Sequence, residues 1–271
     1  MIHFRMAWRN IWRNKRRTAI TLASIFFAVV LSSFMMSIKE GMYSHMIDAA
    51  VGSYSGHAQV STPEFRDNHA IDDGFVYDLT LADAVSQVDG ITGMIPRIEN
   101  FALAASTDKT KGSMVIGTDV SAESKITGLH ERVIDGDYIS AGDHKVLIGE
   151  GLAGYLGLDV NDTMVLLGQG YHGVSAAGKY PVSGIVKFGS PELSKQLVVM
   201  PLDVAQQFYG CEGVITNLNL WTSHNDLSIN EKNEVQAILG DGLTVRSWKE
   251  IMPEIDQMIS ADRVEGYVFM F

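Results

Sequence analysis

One segment of the sequence is spaced like a phosphate cradle. Gly173-Val-Ser-Ala-Ala-Gly178-Lys179 fits GxxxxGK, a pattern in which backbone N–H groups and the lysine surround phosphates. The next residue is Tyr180, where a Ser or Thr is needed for magnesium. Pro181 and a strand pattern follow, where a helix should begin. The segment therefore reads as strand and turn. His130-Glu131 is followed by RVID and does not complete HExxH. Asp159-Val-Asn161 starts like a calcium loop but lacks its glycine and closing glutamate. The remaining histidines show no ligand spacing, and no GxSxG is present. Asp72-Asp73 reads as a solvated loop pair, a carboxylate dyad being the alternative with no supporting residue. Cys211 is the lone cysteine, so it has no partner for an intramolecular disulfide; it reads as a small loop or core residue. No catalytic residue, cofactor site or metal site is assigned, and the chain is read as not an enzyme.

The charges are segregated. Residues 1–39 hold seven of the 21 Lys and Arg and no acid, while all 32 Asp and Glu lie from Glu40 onward. Residues 40–271 therefore carry a net charge of -18. An acidic body of this kind repels nucleic acid, so nucleic acid is excluded as a partner.

The basic end precedes an apolar run. Thr18 to Ile38 contains 21 residues and no charge, roughly 31 Å of helix, enough to cross a hydrocarbon core of about 30 Å. Lys15, Arg16 and Arg17 abut its amino end, and only Lys39, followed at once by Glu40, abuts the other. The positive-inside rule then places the N-terminus in the cytoplasm and the body outside. A cleaved signal peptide is the rival reading. Its apolar region is shorter, about 7–15 residues, and a small-x-small site follows it. In residues 3–14, Phe4, Trp8, Ile11 and Trp12 share one helical face; Arg5, Arg9 and Arg13 share another. Aromatics opposite arginines suit a helix lying in the bilayer interface with its cations on lipid phosphates. Trp8, Arg9, Trp12, Arg13, Lys15, Arg16 and Arg17 are thus the expected membrane-interface residues. Met35 and Met36, at the outer end of the span, are candidates for lining a hydrophobic cargo path, since methionine adapts to varied shapes; lipid or helix contact is the alternative use. The final GYVFMF after Arg263 and Glu265 reads as the start of a second span, so the sequence is expected to be part of a longer protein.

The outer region reads as α+β. Helical spacing continues through residues 40–53. A half-buried strand follows, with Ala58 and Val60 inward and His57, Gln59 and Ser61 toward solvent. A helix is expected from Leu79 to Val88 with Leu81, Ala84, Val85 and Val88 inward, closed by Gly90. Residues 91–105 read as strand interrupted at Pro96. Short strands are expected at 113–118, 145–148, 163–167 and 181–188, with a brief helix from Glu150 to Leu156. After a strand at 214–221, a helix with Asp226 as N-cap runs to Leu239, closed by Gly240. A strand at 243–246 and a helix from Trp248 to Ser260 complete the region. Two strand–helix–strand units thus flank a strand-rich insertion.

Several motifs occur in a fixed order: AWRNIWRNKRRT, the single apolar helix, Val115-Ile-Gly-Thr-Asp119, Val146-Leu-Ile-Gly-Glu-Gly-Leu-Ala153, Leu156-Gly-Leu-Asp-Val-Asn-Asp-Thr163, Val182-Ser-Gly-Ile-Val186, Val199-Met-Pro-Leu-x-x-Ala-Gln206 and Ser247-Trp248 with Pro253-Glu254. Together they resemble the FtsX/MacB/LolC-type ABC transporter permeases, and the GSYSGHAQV segment leans toward the lipoprotein-releasing subgroup. Asn161 stands where that family has glycine, which a left-handed turn tolerates; Ser194 stands where it often has Asp. The resemblance implies a cytoplasmic segment at 1–17, a transmembrane helix at 18–38, porter-like parts at 39–112 and 211–262, a sabre-like lobe at 113–210 and the start of a second span at 263–271. It implies a bacterial inner-membrane protein with a periplasmic body and a permease role in mechanotransmission for lipoprotein release or for export of a hydrophobic or peptide cargo. The implied partners are a separate cytoplasmic ATPase subunit, a second permease subunit, the lipid bilayer, and a periplasmic carrier or adaptor. The competing reading is a membrane-anchored extracytoplasmic ligand-binding or sensor module.

Overall fold

A computed structural model describes residues 6, 13–47, 51, 54–223 and 226–268. By its internal contacts the chain divides into residues 1–46 with 254–271, and residues 47–253.

The first unit contains α1 (Lys15–Ile47), whose apolar stretch is long enough to cross a membrane and has none of its side chains buried. Three of its hydroxyls bond to carbonyls of the preceding turn. Thr21 Oγ1 donates to Arg17 O, Ser24 Oγ to Ile20 O, and Ser37 Oγ to Ser33 O, at 2.9–3.1 Å. Back-bonding of this kind lets polar side chains sit in an apolar surrounding without water.

The second unit is built on one continuous sheet. Its first half interleaves two strand–helix–strand segments. One comprises β1 (Ala58–Ser61), α2 (Pro63–Asn68), β2 (Phe75–Val76), α3 (Leu79–Ser86) and β3 (Ile91–Ala105). The other comprises β10 (Val214–Ile215), β11 (Asn217–Thr222), α8 (Ile229–Leu239) and β12 (Thr244–Ser247). The strand order is β12-β1-β11-β3, with every neighbour antiparallel. This is the split βαβ arrangement of ferredoxin-like sheets. Val85 and Val88 from the α3 segment and Val235 and Leu239 from α8 pack on Val60, Leu218, Leu220 and Val245 of the strands.

Between β3 and β11 the chain forms β4 (Thr110–Thr118), α4 (Val120–Thr127), β5 (Val133–Gly136), β6 (Val146–Gly149), α5 (Glu150–Leu156), β7 (Thr163–Gln169), β8 (Ser175–Val186), α6 (Pro191–Ser194), β9 (Leu197–Pro201) and α7 (Leu202–Tyr209). Their pairings close on themselves in the order β3-β4-β9-β6-β8-β7-β3. This six-stranded ring encloses Ile98, Ala104, Val115, Ile148, Leu166 and Val198 in one apolar cluster with Leu152 of α5 and Phe208 of α7. Gly117 admits α7 at close range, for a Cβ there would stand 2.1 Å from that of Ala205.

Tertiary pairing overrides several local expectations. β1 has strands on both sides, so His57, Gln59 and Ser61 are buried rather than solvent-facing. β3 runs unbroken through Pro96, because at that point it has β11 on one side while its ladder with β4 starts only at Arg97; a missing N–H is tolerated at such an edge. In α3 it is Ala82, not Ala84, that is buried. The N-cap of α8 is Ser228, in a capping box with Glu231, not Asp226. The expected helix from Trp248 is divided at Met252 into α9 (Trp248–Ile251) and α10 (Pro253–Val268), since a proline cannot continue the backbone ladder of the turn before it.

Candidate functional site

The membrane-interface residues are described in part. Arg13, Lys15, Arg16 and Arg17 are exposed. α1 has no acid in its first turn, so three cations stand at the helix end where the macrodipole favours anions. Trp8, Arg9 and Trp12 lie outside the described residues, as do Phe269 to Phe271 of the expected second span. Toward the C-terminal end of α1, Met35 is exposed and Met36 half-buried, so the two present different environments. One turn on, Lys39 Nζ lies 2.9 Å from Asp262 Oδ1 of α10. Beside these two residues, Tyr43 and Ile259 are buried. They continue stripes of Met36, Lys39 and Tyr43 on one helix and Ile255, Ile259 and Asp262 on the other.

Within residues 47–253, the strand that follows α1 and the strand that leads toward α10 are neighbours. β1 and β12 pair from Ala58↔Ser247 to Ser61↔Thr244. Beyond the last pair, Trp248 N donates to His57 O at 2.9 Å. His57 Nδ1 accepts the Thr222 N–H at 2.8 Å, so the same residue also ties β1 to β11. The indole of Trp248 is buried, which gives the tryptophan segment a structural anchor.

A buried ion cluster lies beside this strand pair. Arg97 is 1% exposed. Its Nη2 donates to Glu123 Oε1 at 2.6 Å and its Nε to Glu123 Oε2 at 3.1 Å. Its Nη1 donates to the main-chain carbonyl of Tyr54 and lies 3.6 Å from Glu99 Oε1. The guanidinium also stands 5.7 Å from the centroid of the Tyr54 ring. Thr118 Oγ1 donates to Glu123 Oε2 at 2.8 Å, and Asp119 caps the helix that carries Glu123. Burial alone would lower the pKa of Arg97, but Glu123 and Glu99 more than offset it and hold the guanidinium charged. Burial pushes the Glu99 carboxyl above its usual range against the pull of Arg97, and pushes the Tyr54 phenol well up, with Glu99 adding to the effect. Tyr54, Arg97, Ile116, Glu123, Leu129 and Phe188 line a cleft here with room for about one water. Sequence reasoning missed this cluster. The available signal was two charges, Arg97 and Glu99, alternating within the apolar run IPRIENFAL.

The remaining chemistry-bearing residues are structural. Gly173 closes a turn, and Ser175 to Lys179 begin strand β8, so the GxxxxGK segment belongs to the turn and one strand of the β7–β8 hairpin. Asp72 Oδ1 accepts the N–H of His172 at 2.5 Å, and Asp73 Oδ2 accepts from Asn68 Nδ2 at 3.0 Å. Cys211 is buried, which pushes its thiol up to about 11. Asn161 has φ +74°, the left-handed turn expected of it. Ser194 Oγ accepts Gly151 N–H at 3.3 Å, supplying a side-chain acceptor to α5, whose own N-cap Gly149 has none. Among the described residues, no group of three or more His, Cys, Asp or Glu is placed to hold a metal.

Comparison with known proteins fits this architecture. The family model of the MacB-like periplasmic core domain matches residues 18–238. The lipoprotein-releasing system transmembrane protein LolC of Xylella fastidiosa is 26% identical over 253 residues, covering 87% of this chain and 58% of that protein. The chain thus spans less than two thirds of that relative's length. Among solved structures, the periplasmic region of MacB from Actinobacillus actinomycetemcomitans aligns with a TM-score of 0.52 at 11% identity, over 74% of this chain and 94% of that one. The extracellular domain of the noncanonic ABC-type transporter YknZ from Gram-positive bacteria aligns with a TM-score of 0.50 at 15% identity, over 70% of this chain and 98% of that one. These two likenesses concern the α+β fold alone. With a family model covering most of its length, the chain belongs to the MacB-like periplasmic core domain family.

Proposed function

We propose that this chain is part of the permease subunit of a mechanotransmitting ABC transporter. In this reading α1 crosses the bacterial inner membrane with its basic end in the cytoplasm, where lipid phosphates neutralise Arg13, Lys15, Arg16 and Arg17. The body built on residues 47–253 lies in the periplasm. A separate cytoplasmic ATPase drives the helices, a second permease subunit completes the membrane part, and the body passes the motion to its cargo. A lipoprotein is the cargo favoured by the relationship to LolC; a hydrophobic or peptide cargo, with Met35 and Met36 beside its path and a periplasmic carrier or adaptor receiving it, fits the same machine.

The observation that carries this reading is the pairing of β1 with β12. The two points at which the body joins α1 and α10 are adjacent strands of one sheet, so a relative movement of the helices is delivered to the sheet as a unit.

The test is purification of the full-length protein from its native membrane in mild detergent. The expected result is co-purification of an ATPase carrying GxxxxGK[ST]. A stable preparation with no such subunit would sink the proposal.

A further inference from the structure

Arg97 occupies a node of the sheet. On β3 it is paired with Asn217 of β11 on one side and with Thr118 of β4 on the other. It is thus the residue at which the four-stranded interleaved half passes into the closed ring. Its guanidinium makes a two-point fork on Glu123 and sends its remaining arm to the Tyr54 carbonyl. Tyr54 lies seven residues beyond the end of α1 and four before the start of β1. The same carbonyl also accepts from Asn219 Nδ2 of β11 at 3.4 Å. Two residues on, the chain turns at Gly56, whose φ is +71° and where a Cβ would stand 2.9 Å from Leu220 O, so a side chain is not accommodated.

We propose that Arg97 is the positioning residue that fastens the connection from α1 to the ring, so that displacement of α1 enters the ring through Tyr54 and Arg97 before it loads the short β1 ladders. The idea rests on the permease reading above. A residue that only filled space would not need three charged or polar directions satisfied at once. A buried ion pair is weak evidence for stability in itself, since an apolar pair of like volume often does as well. What an apolar pair cannot do is hold a main-chain carbonyl of the incoming segment. Arginine suits the task because its rigid fork binds a carboxylate with two nitrogens and leaves the third free, whereas lysine offers one point charge.

The experiment compares Arg97→Lys with the unaltered full-length protein in two arms. The first is amide hydrogen exchange in detergent. The expected result is at least tenfold faster exchange at Gly56 and His57, which donate to Val51 O and Leu220 O, with β4, β6 and β9 unchanged. Unchanged exchange at Gly56 and His57 overturns the fastening role. The second arm uses the complex with its ATPase and follows ATP-dependent changes of exchange in β6 and β8. The variant is expected to hydrolyse ATP while losing those changes; transmission equal to the unaltered complex overturns the coupling role. If the unaltered complex shows no ATPase or no ATP-dependent change, the permease reading falls and takes the coupling role with it, while the first arm still decides whether Arg97 fastens the connection. Should Arg97→Lys expose the whole ring to exchange, Glu123→Gln, which weakens the fork and keeps an acceptor, is read in the same two arms.

Discussion

Ala58, the first residue of β1, lies directly across the ladder from Ser247, the last residue of β12. The two are 189 positions apart in sequence, yet each is within a few residues of the segment joining the body to a helix of the other unit. The body therefore receives both of its attachments side by side. Cross-strand neighbours have Cβ atoms about 4.5–5.5 Å apart, close to the span of a disulfide, about 3.5–4.5 Å. The double replacement Ala58→Cys with Ser247→Cys should cross-link under mild oxidation. Mass spectrometry after thiol labelling checks this, and the native Cys211 interferes little because its buried thiol is pushed up to about 11. A folded protein with both new thiols free would contradict the pairing.

The Arg97–Glu123 pair predicts strong non-additivity. Arg97→Met alone strands a buried carboxylate, and Glu123→Leu alone removes both acceptors of the buried guanidinium's fork and leaves it only Glu99 as counter-charge. Each should destabilise by about 3–5 kcal/mol. The double variant should recover most of that loss, because both charges then leave together. Chemical denaturation of all four proteins measures the coupling, and simple addition of the two single losses would refute it.

Glu99 predicts a pH dependence of stability with a defined sign. Burial raises its carboxyl pKa in the folded state, so the folded protein holds a proton that the unfolded chain releases. Its contribution is fully present below the ordinary glutamate value and is lost as pH rises through the raised one. Glu99→Gln should remove this dependence. The difference in unfolding free energy between the unaltered protein and the variant should therefore move in favour of the variant as pH rises from the ordinary carboxylate range. A difference that stays flat with pH would count against the assignment.

Lys39 and Asp262 predict rescue by exchange. Lys39→Asp or Asp262→Lys alone places like charges at a 2.9 Å contact, and the two together restore an opposite-charge pair. Their side chains are 39% and 34% exposed, which puts the coupling in the surface range, about 0.2–1 kcal/mol. Thermal unfolding in detergent at low salt should show the double variant more stable than the sum of the single changes implies. Additive losses would mean that the two charges do not sense each other.

Sequence alone determined the features that depend on near neighbours. The apolar run that became α1 is legible because its character is set residue by residue, and Glu150 to Leu156 matched α5 because a helix closes its hydrogen bonds within a few positions. Asn161 was legible as a left-handed turn for the same local reason. Sheet partners were not legible. β1 reads as half-exposed until β11 and β12 arrive from 150 residues and more away and bury His57. Pro96 reads as a break until the offset start of the β3–β4 ladder makes room for it. Ring closure depends on β7 returning to β3 some 60 residues later, and the Arg97 cluster collects Tyr54, Glu99 and Glu123 from three separate segments. Strand pairing and buried ion pairing are satisfied by partners at any sequence distance. No local pattern names those partners, so only the tertiary structure decided them.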